Sequence, residues 1–157
     1  MTNEQVFAEL YYTRKAINLV MGFTPKCWRA PFGDVDNRVR FIAQQMNLTS
    51  ILWSDDSVSV QTIVQHAHTT QEDWRINTGT PPVTQADIDA NYQSVIDAQK
   101  NGTYATHGPI VLTHEINNFT MAEAVKWLPQ LQATFKNVVP VGVAYNWTTP
   151  YAETDIL

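Results

Sequence analysis

Gly108-Pro109-Ile110-Val111-Leu112-Thr113-His114-Glu115 is the stretch on which the reading of the fold turns. Its apolar residues run on without the alternation of a strand that has one face in water, and a histidine and a glutamate follow at once. A short unbroken apolar run fits a strand buried on both faces, as in a parallel sheet covered by helices. Working outward, similar runs lie at residues 26–30, 49–53 (Thr-Ser-Ile-Leu-Trp) and 138–143. Helical patterns separate them. Thr2 with Gln5 reads as a capping box opening a helix over Val6, Leu10, Ile17, Val20 and Met21, with Gly22 as its stop. Asp34 can cap a second helix carrying Val39, Ile42, Ala43 and Met46. Thr84 with Asp87 opens a third over Ile88, Tyr92, Val95 and Ile96, closed by Gly102. Thr120 with Glu123 opens a fourth over Val125, Leu128, Leu131 and Phe135, which Pro129 should kink or split. Four helices and four strands in strict alternation predict an α/β fold with parallel strands and right-handed crossovers.

Composition sets the outer limits. The chain has 157 residues, room for a single domain over 1–157, and 44% of them are hydrophobic against 16% charged, as in globular proteins. A formal charge of -5 and a pI near 5.2 argue against a nucleic-acid partner, whose phosphates require clustered Lys and Arg. No apolar run reaches the roughly 18 residues of a membrane span. Cys27 is the single cysteine, so no internal disulfide forms, and on a strand it should behave as a small buried hydrophobe. Thr2, Asn3 and Glu4 follow Met1 directly, without the apolar core of a signal peptide. Against that stand four Asn-x-Thr tripeptides at Asn47, Asn101, Asn118 and Asn146, in modest excess over chance; they are acceptor sites of secreted glycoproteins.

The polar residues cluster where strands end. Arg29-Ala30-Pro31-Phe32-Gly33 closes the first strand, Asp55 and Asp56 follow the second, and His114-Glu115 follow the third. Parallel α/β folds bind ligands at the carboxyl ends of their strands, so these groups should share one rim. Any one of them, taken alone, is better explained by the polarity that loops need; their joint occurrence is less easily dismissed.

Residues 29–40, Arg-Ala-Pro-Phe-Gly-Asp-Val-Asp-Asn-Arg-Val-Arg, resemble the third motif of polysaccharide deacetylases, carbohydrate esterase family four, in its fungal chitin deacetylase form. Leu112-Thr113-His114-Glu115 resembles the fifth motif, and Val138-Val139-Pro140-Val141 the last core strand. The likeness runs from Thr2 to about Tyr151. It implies about four strand–helix units of a distorted (β/α) barrel of seven or eight strands. The fourth motif, Asp-x-x-Asp-Trp, is interrupted: deleting residues 58–71 restores it as Asp-Ser-Glu-Asp-Trp. That segment is either a retained intron, since it begins Val-Ser and ends in Gln, or an active-site loop. His66 and His68 within it are not expected to bind metal. The family's first motif, Thr-Phe-Asp-Asp, and its second, His-x-x-x-His, are absent from this sequence. The expectation is therefore the C-terminal part of a catalytic domain.

What the resemblance implies is amide hydrolysis of N-acetyl groups on chitin or chitooligosaccharide. In the family a zinc or cobalt ion activates the water, and its ligands are among the motifs this sequence lacks. His114 would be the general acid, Asp73 would hold it in orientation, and Arg29 would hold the base that is missing here. The backbone N–H of Phe32 would serve the oxyanion hole, while Trp74 and Leu112 would wall the acetyl pocket. A lone histidine after a strand, as His114 is without the motif, is more often a hydrogen-bonded structural residue. Trp28, Trp53, Trp127 and Trp147 read as packing residues, and Glu115 and Asp34 as helix caps. The family implies an extracellular or cell-wall location. The chain alone is expected to be inactive and to self-associate through exposed sheet edges. The alternative is a non-catalytic fragment that at most binds chitin oligosaccharides.

Overall fold

The computed structural model describes residues 1–54, 73, 76–77, 82–149 and 151–153. The described chain divides into two compact units, one of Met1–Leu52 with Pro140–Leu157, the other Trp53–Val139. Segment 58–71, with His66 and His68, and residues Asp55, Asp56 and Trp74 lie outside the described residues.

In the first unit, helix α1 spans Asn3–Met21. Thr2 and Gln5 form the reciprocal capping box, and Gly22 closes the helix in the left-handed region, φ 80°, donating to the Asn18 carbonyl at 2.8 Å. Only Val6 of this helix is fully buried, while Leu19, Val20 and Met21 stand exposed. Strand β1 (Cys27–Trp28) pairs in parallel with β2 (Thr49–Ser50), Cys27 opposite Thr49. The Thr49 N–H donates to Lys26 at 2.8 Å and the Ile51 N–H to Trp28 at 2.9 Å. Between the strands come a 3₁₀ turn at Pro31–Gly33 and helix α2, Asn37–Gln45. Helix α2 buries Ala43, and Arg14 of α1 reaches across to the Met46 carbonyl at 2.8 Å.

The parallel pairing agrees with expectation, but both strands are shorter than the apolar runs 26–30 and 49–53. Run 138–143 is not a strand at all. Pro140 instead caps a helical turn, α5, at Val141–Ala144. Pro offers no N–H to a ladder and suits the start of a helix, so it overrides the β-branched residues around it. The cap of α2 is Asp36, whose Oδ1 accepts from the Val39 N–H at 2.7 Å, and not Asp34. Cys27 is exposed rather than buried. The chain after α5 returns to the start of β1: Ala152 donates to the Thr24 carbonyl at 3.0 Å, and Tyr151 packs its ring 4.2 Å from that of Phe23. Glu153 accepts from the Thr24 hydroxyl at 2.5 Å and from its N–H at 2.7 Å. Those two bonds, the hydroxyl's first, pull the Glu153 carboxyl below its ordinary pKa.

The second unit is built on α3, Gln85–Lys100, against α4, Asn118–Thr134. The Thr84–Asp87 box opens α3, and Asn101 caps it with Gly102 following at φ 89°. Val83, Ile88, Tyr92, Ile96 and Trp127 form the core, with Ile76, Phe119 and Leu131 packed on it. Tyr92 and Trp127 stack with centroids 5.5 Å apart. Helix α4 starts three residues earlier than Thr120–Glu123 would place it. Asn117 is the cap, accepting from Phe119 and Thr120 at 2.9 and 3.0 Å, and Thr120 is buried inside the first turn. Glu115 is therefore not the cap of α4. Nor does Pro129 split α4, which passes through it unbroken. Run 109–113 forms no regular strand; Ile110 links to Ser54 through the Ser54 N–H at 3.1 Å and its own N–H to the Ser54 hydroxyl at 2.9 Å. The expected strict alternation thus becomes five helices and one two-stranded parallel ladder among the described residues.

Candidate active site

Two residues far apart in sequence meet in the second unit. Asp73 is 1% exposed, and it turns both carboxylate oxygens to His114. The His114 Nδ1 lies 2.7 Å from Oδ1, and the His114 backbone N–H donates to Oδ2 at 2.9 Å. Holding main chain and ring together fixes the imidazole plane and makes Nδ1 the hydrogen-bearing nitrogen toward the carboxylate. Nε2 is then the atom left for other work, on a side chain 30% exposed. A carboxylate, a histidine and one free ring nitrogen form the usual apparatus for donating or accepting a proton.

Close enough to feel the charge of Asp73 is Tyr92, whose buried hydroxyl has no hydrogen-bond partner among the described residues. Burial first, then the negative charges of Asp73 and Glu123, raise the Tyr92 pKa. This residue was legible only as part of the apolar stripe of α3. A tyrosine where an aliphatic residue would suffice is the signal that reasoning on periodicity passed over. Glu123, also buried, accepts from Gln85 at 2.8 Å and from Lys126 at 3.2 Å; Lys126 also bonds Asp89, which takes the Trp127 indole N–H at 2.8 Å. Burial opposes ionisation of Asp89, yet its bonds to Lys126 and Trp127 outweigh it and lower the pKa.

Leu112 is half-buried two residues before His114. Arg29 and Phe32 belong to the first unit. The Arg29 Nε donates to the Ile51 carbonyl at 3.2 Å, which ties it to the end of β2. Phe32 sits at φ 57°, unusual for a residue with a side chain, and its ring is 95% exposed. The 3₁₀ turn that holds it there is closed by Gly33 and Asp34, donating to Ala30 and Pro31 at 3.0 and 3.1 Å.

The resemblance implies a divalent metal. Among the described residues no three His, Cys, Asp or Glu side chains stand where one ion would reach them, and Asp73 has committed both oxygens to His114. The described residues therefore do not make a metal site, and no step below passes through one.

The sequence profile described as polysaccharide deacetylase matches residues 1–51. The chain is 52% identical over 156 residues to chitin deacetylase 2 of Cryptococcus neoformans var. grubii, covering 99% of this chain and 31% of that protein. It is 42% identical over 152 residues to the chitin deacetylase of Amylomyces rouxii, covering 97% and 32%. The chain belongs to the polysaccharide deacetylase family. Within it, the likeness is to the fungal chitin deacetylases, of which the chain spans about a third of the length. The solved structure of the chitin deacetylase from the fungal pathogen Colletotrichum lindemuthianum superimposes with a TM-score of 0.67 at 16% identity, over 92% of this chain and 55% of that one. That likeness shows the fold, part of a (β/α) barrel. No helix among the described residues is long and apolar enough to cross a membrane.

Proposed function

We propose that this sequence serves the deacetylation of N-acetylglucosamine polymers, chitin or its oligosaccharides, outside the cell, and that it carries the proton-donating side of the reaction. The observation that supports this most is the two-point grip of Asp73 on His114. In the proposed step water adds to the acetyl carbonyl, and the carbon–nitrogen bond then breaks. The general base, which lies outside this sequence, takes one proton from the water as it adds. His114, in its doubly protonated form with Nδ1–H on Asp73, gives the Nε2 proton to the departing nitrogen, so acetate and a free amine are the products. Asp73 positions the ring and takes no part in bond making. Arg29 would orient the general base, the Phe32 N–H would meet the oxyanion, and Leu112 with Trp74 would enclose the methyl group.

This polypeptide on its own is expected to give no turnover, because Thr-Phe-Asp-Asp and His-x-x-x-His are both missing from it. Residues 58–71 are proposed to be an insertion into the fourth motif of a single deacetylase domain. The test is acetate release from chitin oligomers by the full chain with added zinc or cobalt. No release above the blank is the expected result; release that His114→Ala abolishes would overturn it. The absence of the family's first two motifs from the sequence also supports a second reading, a binder of chitin oligosaccharides without turnover. Shifts of the His114 ring resonances on adding oligomer, with no acetate formed, would select that reading.

A further inference from the structure

Two of the four Asn-x-Thr tripeptides are built alike in the first unit. Asn47 follows α2 and Asn146 follows α5, at φ 55° and 56°. After α2 the Asn47 N–H donates to Gln44 at 2.9 Å and the Leu48 N–H to Ala43 at 2.9 Å. After α5 the Asn146 N–H donates to Val143 at 3.0 Å and the Trp147 N–H to Gly142 at 2.8 Å. Each is the same helix stop, with asparagine in the left-handed position where glycine is commonest. In that position the backbone donors are spent within the turn, and both asparagines are exposed.

The two stops also face the same space. Asn47, Thr49, Asn146, Trp147, Thr148 and Lys26 line one depression of about 370 Å³. Lys26 is held on its wall by Thr149, whose carbonyl and hydroxyl both accept from Nζ at 2.9 Å. The depression therefore offers two acceptor amides, threonine hydroxyls and part of the Trp147 side chain, whose ring also stacks on Tyr145, a lining suited to a sugar's polar edge and apolar face. The other two tripeptides differ. The Asn101 side-chain oxygen accepts from the Thr103 hydroxyl at 2.6 Å, and Asn118 opens α4 with its Thr120 fully buried.

We propose that Asn47 and Asn146 both carry N-linked glycans, whose first N-acetylglucosamine units lie over the shared depression beside Trp147. The proposal goes beyond the deacetylase reading but rests on its extracellular placement. The test supplies that placement artificially. The full chain, fused to a cleavable leader, is translated with endoplasmic-reticulum microsomes and followed by gel mobility before and after peptide N-glycosidase F. Asn47→Gln and Asn146→Gln should each remove one mobility step, and the double variant two; an unchanged step count for either single variant overturns the pairing. Because acceptance precedes folding and the leader forces entry, neither misfolding nor a different natural destination spoils the result. A chain glycosylated in microsomes but retained inside its own host would count against the extracellular reading alone. For the sugar's position, the glycoprotein is trimmed to a single N-acetylglucosamine per site and compared with the fully deglycosylated chain. In the trimmed form the Trp147 indole protons should show nuclear Overhauser contacts to an N-acetylglucosamine ring; their absence overturns the shared seat.

Discussion

Asp73 grips His114 at ring and backbone together, so the two bonds respond differently to substitution. In Asp73→Asn the amide keeps one acceptor oxygen where the carboxylate had two, and one of the two donors loses its partner. A buried donor left unpaired costs about 1–3 kcal/mol. The expected outcome is a lower denaturant midpoint together with a redistribution of the His114 ring proton between Nδ1 and Nε2, read by long-range nitrogen–proton NMR; an unchanged tautomer would remove Asp73 from its positioning role. Tyr92 gives the opposite sign. Its hydroxyl is buried with no partner among the described residues, while its ring stacks on Trp127. Tyr92→Phe retains the stack and deletes the uncompensated group, so stability should rise by about 1 kcal/mol at unchanged m-value. A fall would mean that the hydroxyl has found a partner after all.

At the scale of elements, helices and strands were unequally legible, for a physical reason. The boxes at Thr2–Gln5 and Thr84–Asp87 act within one turn of chain, so their residues are neighbours in sequence and announce the helix. A strand exists only through its partner. The apolar run 109–113 has a good intrinsic preference but forms no regular ladder, and 138–143 yields to Pro140. The cap of α4 was misplaced because Thr120–Glu123 and Asn117–Thr120 both fit the pattern, and Asn wins by turning its side chain onto two N–H groups. Asn117→Ala should therefore destabilise by about 1 kcal/mol, more than Thr2→Ala at the exposed start of α1. His114 and Asp73 were legible through motifs rather than spacing, since 41 residues separate them and periodicity does not reach that far. Pro129 costs α4 one backbone bond, and it is exposed. Pro129→Ala should stabilise the fold by up to about 3 kcal/mol, the cost of a mid-helix proline, and so raise the melting temperature.

For the molecule as a whole, acid is the informative variable. Glu153 draws the chain's late segment onto Thr24 and Asn18, and its folded-state pKa is depressed. The sign follows from linkage. Stability from this carboxylate is complete above its ordinary pKa and is lost as pH falls through the lower folded value. The Ala152 amide, bonded to Thr24, should thus exchange slowly with solvent at neutral pH and faster in acid, after correction for the intrinsic rate. Glu153→Gln should flatten that dependence; an unaltered pH profile would show that the clasp does not govern this segment.

Cys27 adds a practical consequence. As the lone thiol of the sequence, standing in solvent on β1 two residues before Arg29, it makes unreduced stocks prone to covalently linked pairs. Blocked with a fluorescent maleimide, the same sulfur becomes a single-site reporter, one that needs no engineered attachment point and watches the arginine's strand from outside.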